Sequence, residues 1–169
     1  MVTSRMFNPP TVDIPETAGD DPRLGQLMSR DPDEIGQARV VLLGFGSDEG
    51  VRRNGGRPGA AQAPDAIRQA LYKLTPDARC IDAFTGLLRH TVDLGNLHLL
   101  PSMEANQERL GKALGPLLKR GALPVVLGGG HETSYGHFLG RVQRNKVRSI
   151  GAAAMFSPST RSTSSCSRC

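Results

Sequence analysis

Fifteen residues near the end of the chain, Leu123–His137, read Leu-Pro-Val-Val-Leu-Gly-Gly-Gly-His-Glu-Thr-Ser-Tyr-Gly-His and limit the fold more than any other stretch. Leu123–Leu127 is the short, nearly continuous apolar run that a parallel sheet buries on both faces, and Pro124 is admitted because it stands at the strand's start. Gly128–Gly130 lets the backbone turn sharply at the strand's carboxyl end, where open α/β sheets collect their ligands. The turn delivers His131 and Glu132 to that place, where a metal ligand or a catalytic base belongs. Two other readings stay open on these residues alone. A glycine turn before a helix can cradle phosphate, although no Lys-Ser/Thr follows and no G-x-G-x-x-G is present. The turn can also be plain packing, with His131 only hydrogen-bonded.

The rest of the chain supplies partners for such a strand. Val40-Val41-Leu42-Leu43 fits a central parallel strand ended by Gly44-Phe45-Gly46, and Thr91–Leu94 is a second, brief candidate. Between them lie a polar, glycine-rich loop, Ser47–Gly59, and a helix over Pro64–Leu74 with Ile67, Ala70, Leu71 and Leu74 on its apolar face. Met103–Arg120 is the best amphipathic helix, carrying Leu110, Ala113, Leu114, Leu117 and Leu118, with Gly121 to close it and a kink expected near Pro116. Another helix should begin within Glu132–Arg144. Strand and helix alternate, which predicts a doubly wound, mostly parallel α/β sheet. Asp93 reads as a structural hydrogen-bond acceptor, and Asp31-Pro32-Asp33 as an exposed turn. Residues 1–37 read as an irregular arm with a short helix around Leu24–Met28.

Composition narrows the class of partner. The 169 residues suffice for one domain, and with 38% hydrophobic but only 4% aromatic residues and no Trp the expected core is aliphatic. No run is long enough to span a bilayer and Met1–Pro10 is no signal peptide, so the expected location is cytoplasmic, without a membrane partner. The net charge of +5 suggests nucleic acid until its distribution is considered. Residues 141–169 hold 6 Lys+Arg and no acid, so the excess lies in the tail; a solvated tail without aromatics argues against a nucleic-acid surface. Cys166 and Cys169 make one C-x-x-C, which without a second pair or nearby histidines is a poor zinc signal.

Four segments, in order, resemble the arginase–agmatinase–formimidoylglutamase family of ureohydrolases: Val40–Gly46, Gly50–Leu71, Asp93–Leu97 and Leu123–Gly140. Gly128-Gly-Gly-His-Glu132 followed by Tyr135-Gly136-His137-Phe138 is similar to the formimidoylglutamase branch rather than to the Gly-Gly-Asp-His-Ser of arginases and agmatinases. The resemblance covers roughly 38–150, the first half of such an enzyme. It implies a three-layer arginase-like fold over 38–150 and two Mn2+ ions that activate a bridging water, whereas 151–169 reads from its own composition as a low-complexity, disordered tail. The reaction implied is hydrolysis of N-formimidoyl-L-glutamate to L-glutamate and formamide, as in histidine degradation. By the match His131 is a metal ligand, and Asn54 and Arg57 are the candidates for gripping the substrate's carboxylates. The alternatives are an agmatinase-, arginase- or guanidinobutyrase-type ureohydrolase, and a non-catalytic anion-binding module; a homo-oligomer is compatible with the resemblance. After Glu132 the chain has no acidic residue, so the family's later Asp-x-His-x-Asp and Asp-x-Asp ligands are missing, and the chain is expected to be inactive by itself. The string Ser159–Cys166 resembles Phe-Asp-Ala-His-Phe-Asp-Leu read one base late. A frame change near Gly151 is therefore expected, against the alternative of a natural disordered tail.

Overall fold

A computed structural model describes residues 4–17 and 21–143. Four strands form one sheet: β1 (Phe7–Asn8), β2 (Val40–Gly44), β3 (Thr91–Leu97) and β4 (Leu123–Leu127), in the order β1-β3-β2-β4. β2 runs parallel to both β3 and β4, whereas β1 is antiparallel to β3 and pairs Phe7 with Leu97. The parallel core is the one the apolar runs predict. β1 lies in the segment read as an irregular arm, and it is short because Pro9 and Pro10 follow it and remove ladder donors.

Helices cover both faces: α1 (Leu24–Leu27), α2 (Glu49–Arg53), α3 (Ala63–Leu71), α4 (Ile81–Leu88), α5 (Met103–Lys119) and a last helix, α6, over 133–143. On one face of the sheet Val41, Leu43, Phe45, Val92 and Leu94 pack against Leu110, Ala113, Leu114 and Leu117 of α5. On the other, Leu42 packs with Leu24, Met28, Tyr72 and Leu88. Two apolar clusters separated by a sheet make a three-layer α/β/α arrangement, and each buried leucine contributes roughly 2 kcal/mol of transfer free energy.

α5 keeps the apolar face read from its sequence and continues through Pro116 as one helix. It starts at Ser102, whose side chain accepts from Ala105 N, and it ends in a Schellman motif. There Gly121, at φ +87°, donates to Leu118 O and Ala122 donates to Leu117 O. α6 lies close against it: a Cβ on Gly140 would meet Leu114 Cβ at 2.8 Å or less, namely 2.7 Å.

Three expectations need correction. The buried side of α3 is Pro64, Arg68 and, just beyond the helix, Tyr72, whereas Ile67 and Leu74 are 41% and 55% exposed. The reason is Asp93 in the centre of β3: its buried charge draws Arg68 to the sheet, and this turns the apolar stripe outward. β4 is not buried on both faces either; it is the last strand among those described, and Leu123 and Val125 are 61% and 37% exposed. The polar loop after β2 is not wholly irregular, since Glu49–Arg53 is helical and carries Glu49–Arg52 and Glu49–Arg53 pairs one turn apart. α4 falls in a stretch for which no element was expected. The tail over 151–169 and the suspected frame change lie outside the described residues. Among the described residues no helix is long and apolar enough to cross a membrane.

Candidate functional site

β2 and β4 end side by side, and the turns beyond them are bonded together. Phe45 N donates to Leu127 O at 3.0 Å, and Gly130 N to Ser47 O at 2.8 Å. Gly128 and Gly129 take φ of +64° and +96°, the left-handed conformations that let the chain reverse here. Thr133 then donates from its backbone N and its hydroxyl to Gly130 O, which starts α6.

His131 stands exposed on this turn, and Glu132 beside it is half-buried. The Glu132 carboxylate is turned back into the protein, where it accepts from Ser47 Oγ at 2.5 Å and from Gly50 N at 2.9 Å. The bonds hold the first turn of α2 against the His131 turn. Asp48 is buried as well; it accepts from Gly59 N at 2.8 Å and pairs with Arg52 at 2.8 Å. α2 ends at Asn54, and a cavity of about 440 Å³ opens among Gly50, Asn54, Met103, Gln107, His131 and Glu132. Asn54 and His131 are therefore on one cavity, while Arg57 is exposed on the loop beyond Gly56 and is not part of its lining. Met103 also borders a second cavity of about 210 Å³ that contains Asp48, Glu49 and Arg52.

Charge in the loop is distributed unevenly. Arg52 pairs with Asp48 and Glu49, and Arg53 pairs with Glu49 at 3.2 Å and with Glu104 of α5 at 2.6 Å. The Arg53 hydrogen bond holds the Glu104 carboxyl at about 2, below its ordinary value, helped by Ser102 Oγ. Among the described residues Arg57 pairs with no carboxylate, which leaves its guanidinium as the loop's available bidentate donor.

The donors gathered here do not make a metal centre by themselves. Among the described residues no three His, Cys, Asp or Glu side chains come together in a group that could hold a metal ion. Glu132 and Asp48, the acids of the two turns that meet here, are committed to Ser47, Gly50, Gly59 and Arg52. His131 is thus a single imidazole without companion ligands, and the described residues do not fit a pair of divalent ions.

Asp93 has the structural place expected for it. It is completely buried and takes a two-pronged bond from Arg68 at 2.8 and 2.9 Å, a third from Tyr72 Oη at 2.7 Å and a fourth from Gly95 N at 2.9 Å. Burial, followed by the neighbouring Asp93 charge, pushes the Tyr72 phenol far above its ordinary value, so it remains a donor. The fastening role of Glu132 was not apparent from sequence. The i, i+3 and i, i+4 acid–arginine spacing over Asp48–Arg53 was a usable sign of the short helix that Glu132 fastens.

A parallel α/β/α sheet with its polar loops converging beyond the carboxyl ends of two strands is the arrangement by which α/β proteins bind small molecules. A sequence model of the Arginase family matches residues 38–151, and the chain belongs to that family. It is 41% identical over 138 residues to the formimidoylglutamases of Salmonella heidelberg (strain SL476) and Salmonella agona (strain SL483), which covers 79% of this chain and 42% of each relative. Among solved structures it is similar to Trypanosoma cruzi formiminoglutamase with Mn2+, at 37% identity and a TM-score of 0.55 over 66% of this chain and 36% of that one. An arginase superfamily protein from the same organism gives 37% identity and a TM-score of 0.56, over 66% and 37% of the two chains. The chain spans about two fifths of the length of the curated relatives it matches.

Proposed function

We propose that this chain carries the substrate-gripping portion of a formimidoylglutamase-type hydrolase and binds an N-substituted L-glutamate through Asn54 and Arg57 beside His131. The observation that carries the reading is the placement of Asn54 and His131 on one cavity in a chain 41% identical to formimidoylglutamases. Arg57 suits the carboxylates because the other loop arginines are already committed to Asp48, Glu49 and Glu104. In a complete domain of this kind Mn2+ would supply the activated water, with His131 as one ligand. Turnover is not expected of these residues by themselves, because Glu132 and Asp48 are committed elsewhere and no group of three metal-ligating side chains comes together among the described residues.

The branch assignment is tested by binding rather than by turnover. On titration of the isotope-labelled chain, L-glutamate, a ligand with two carboxylates, should shift the amide resonances of residues 50–57 and the imidazole of His131. Agmatine, which has a guanidinium and no carboxylate, should leave them in place. An equal response to both ligands, or none to glutamate, overturns the assignment.

A further inference from the structure

We infer that Glu132 is a positioning residue: its carboxylate latches α2 onto the His131 turn and so holds Asn54 on the same cavity as His131. The carboxylate does not project toward solvent as a base at a cavity mouth would. Both of its oxygens are used within the chain, one by Ser47 Oγ at 2.5 Å and the other by the Gly50 amide at 2.9 Å. Ser47 is nearly buried, at 5% exposure, and its carbonyl accepts from Gly130 N, so the carboxylate closes a ring from the β4 turn to the β2 turn and back. Gly50 in turn anchors the far end of α2, since its carbonyl accepts from Asn54 N at 3.2 Å. The chain of bonds therefore runs from Glu132 through Gly50 to Asn54.

The space around the latch is cut to the carboxylate. A Cβ on Gly50 would lie 2.4 Å from Glu132 Oε2, and one on Gly130 would lie 2.6 Å from it. Neither position admits a side chain while Glu132 keeps its bonds. The Glu132 carbonyl adds a weaker tie to α5 by accepting from Gln107 Nε2 at 3.4 Å. A short, exposed helix with five residues is marginal alone, so its orientation has to be imposed from outside. Glu132 imposes it from the buried side, and Arg53 with Glu104 does so from the solvent side.

The inference rests on the proposed substrate site for its purpose but not for its test. Amide hydrogen exchange on the full chain should show that Glu132→Ala speeds exchange at Gly50, Asn54, Gly55 and Gly56 at least tenfold, while the amides of β2, β3 and α5 keep their protection. Glu132→Gln, which retains one acceptor, should recover most of the protection, and Gly50→Ala should reproduce the Glu132→Ala pattern. A general packing role would instead raise exchange across the sheet and α5 together. That outcome, or unchanged exchange at Asn54–Gly56 in Glu132→Ala, overturns the latch. If the wild-type chain ignores L-glutamate, the substrate reading fails and the exchange pattern still decides the latch.

Discussion

Asp93 illustrates how one residue sets the orientation of a helix. A carboxylate in the middle of a parallel strand is costly to desolvate, and it is tolerated here because four donors from Arg68, Tyr72 and Gly95 surround it. Removing only the cation leaves the acid buried with its weaker partners. Arg68→Met should therefore destabilise the chain by about 3 kcal/mol, seen as a lower urea midpoint, even though methionine fits an apolar surrounding. A midpoint equal to that of the wild type would mean the charge pair is not the reason α3 turns its apolar stripe outward. A second residue-scale expectation concerns pH. The Glu104 carboxyl is held at about 2 against an ordinary value of 4.5, so the Arg53–Glu104 tie is present above pH 4.5 and is lost as pH falls through 2. Carboxyl resonance titration should place its midpoint near 2, and Arg53→Met should return it to the ordinary range.

At the scale of elements, α5 and α6 meet through small residues rather than through interlocking bulk. Gly140 brings its helix to within contact of Leu114, and a methyl there would force the two helices apart or the leucine off its rotamer. Gly140→Ala should cost about 1–3 kcal/mol by denaturant unfolding, with β2 and β3 pairing retained. Periodicity was sufficient to read α5, because its apolar face is used for the apolar face of the sheet and its end is written by Gly121. It was insufficient for α3, where the same kind of stripe points outward and a buried arginine points inward. Periodicity counts apolar residues, and it has no means to register a partner twenty-five residues away, as Asp93 is from Arg68. α2 was missed for a related reason: its first turn is fixed by Glu132, eighty-two residues on, and not by its own five residues. The site was partly legible. The glycine turn gave the position of His131 at the carboxyl end of β4, and of the two loop residues proposed for the substrate Asn54 lies on the His131 cavity whereas Arg57 lies outside its lining.

The whole molecule brings together a polar loop and a lone imidazole, on a sheet whose β4 edge and β4 face are exposed among the described residues. The family relationship is secure over 38–151, yet the curated relatives are more than twice as long as the matched part. Under the proposed function binding and turnover are separable, because carboxylate recognition would need only the loop while hydrolysis by two metal ions needs several carboxylate ligands in one place. As proposed, this chain has the first and not the second. This is tested most directly by measuring formamide released from N-formimidoyl-L-glutamate by the purified chain in excess Mn2+. Release no faster than in the protein-free blank is expected, and steady Mn2+-dependent turnover would overturn the proposed reading.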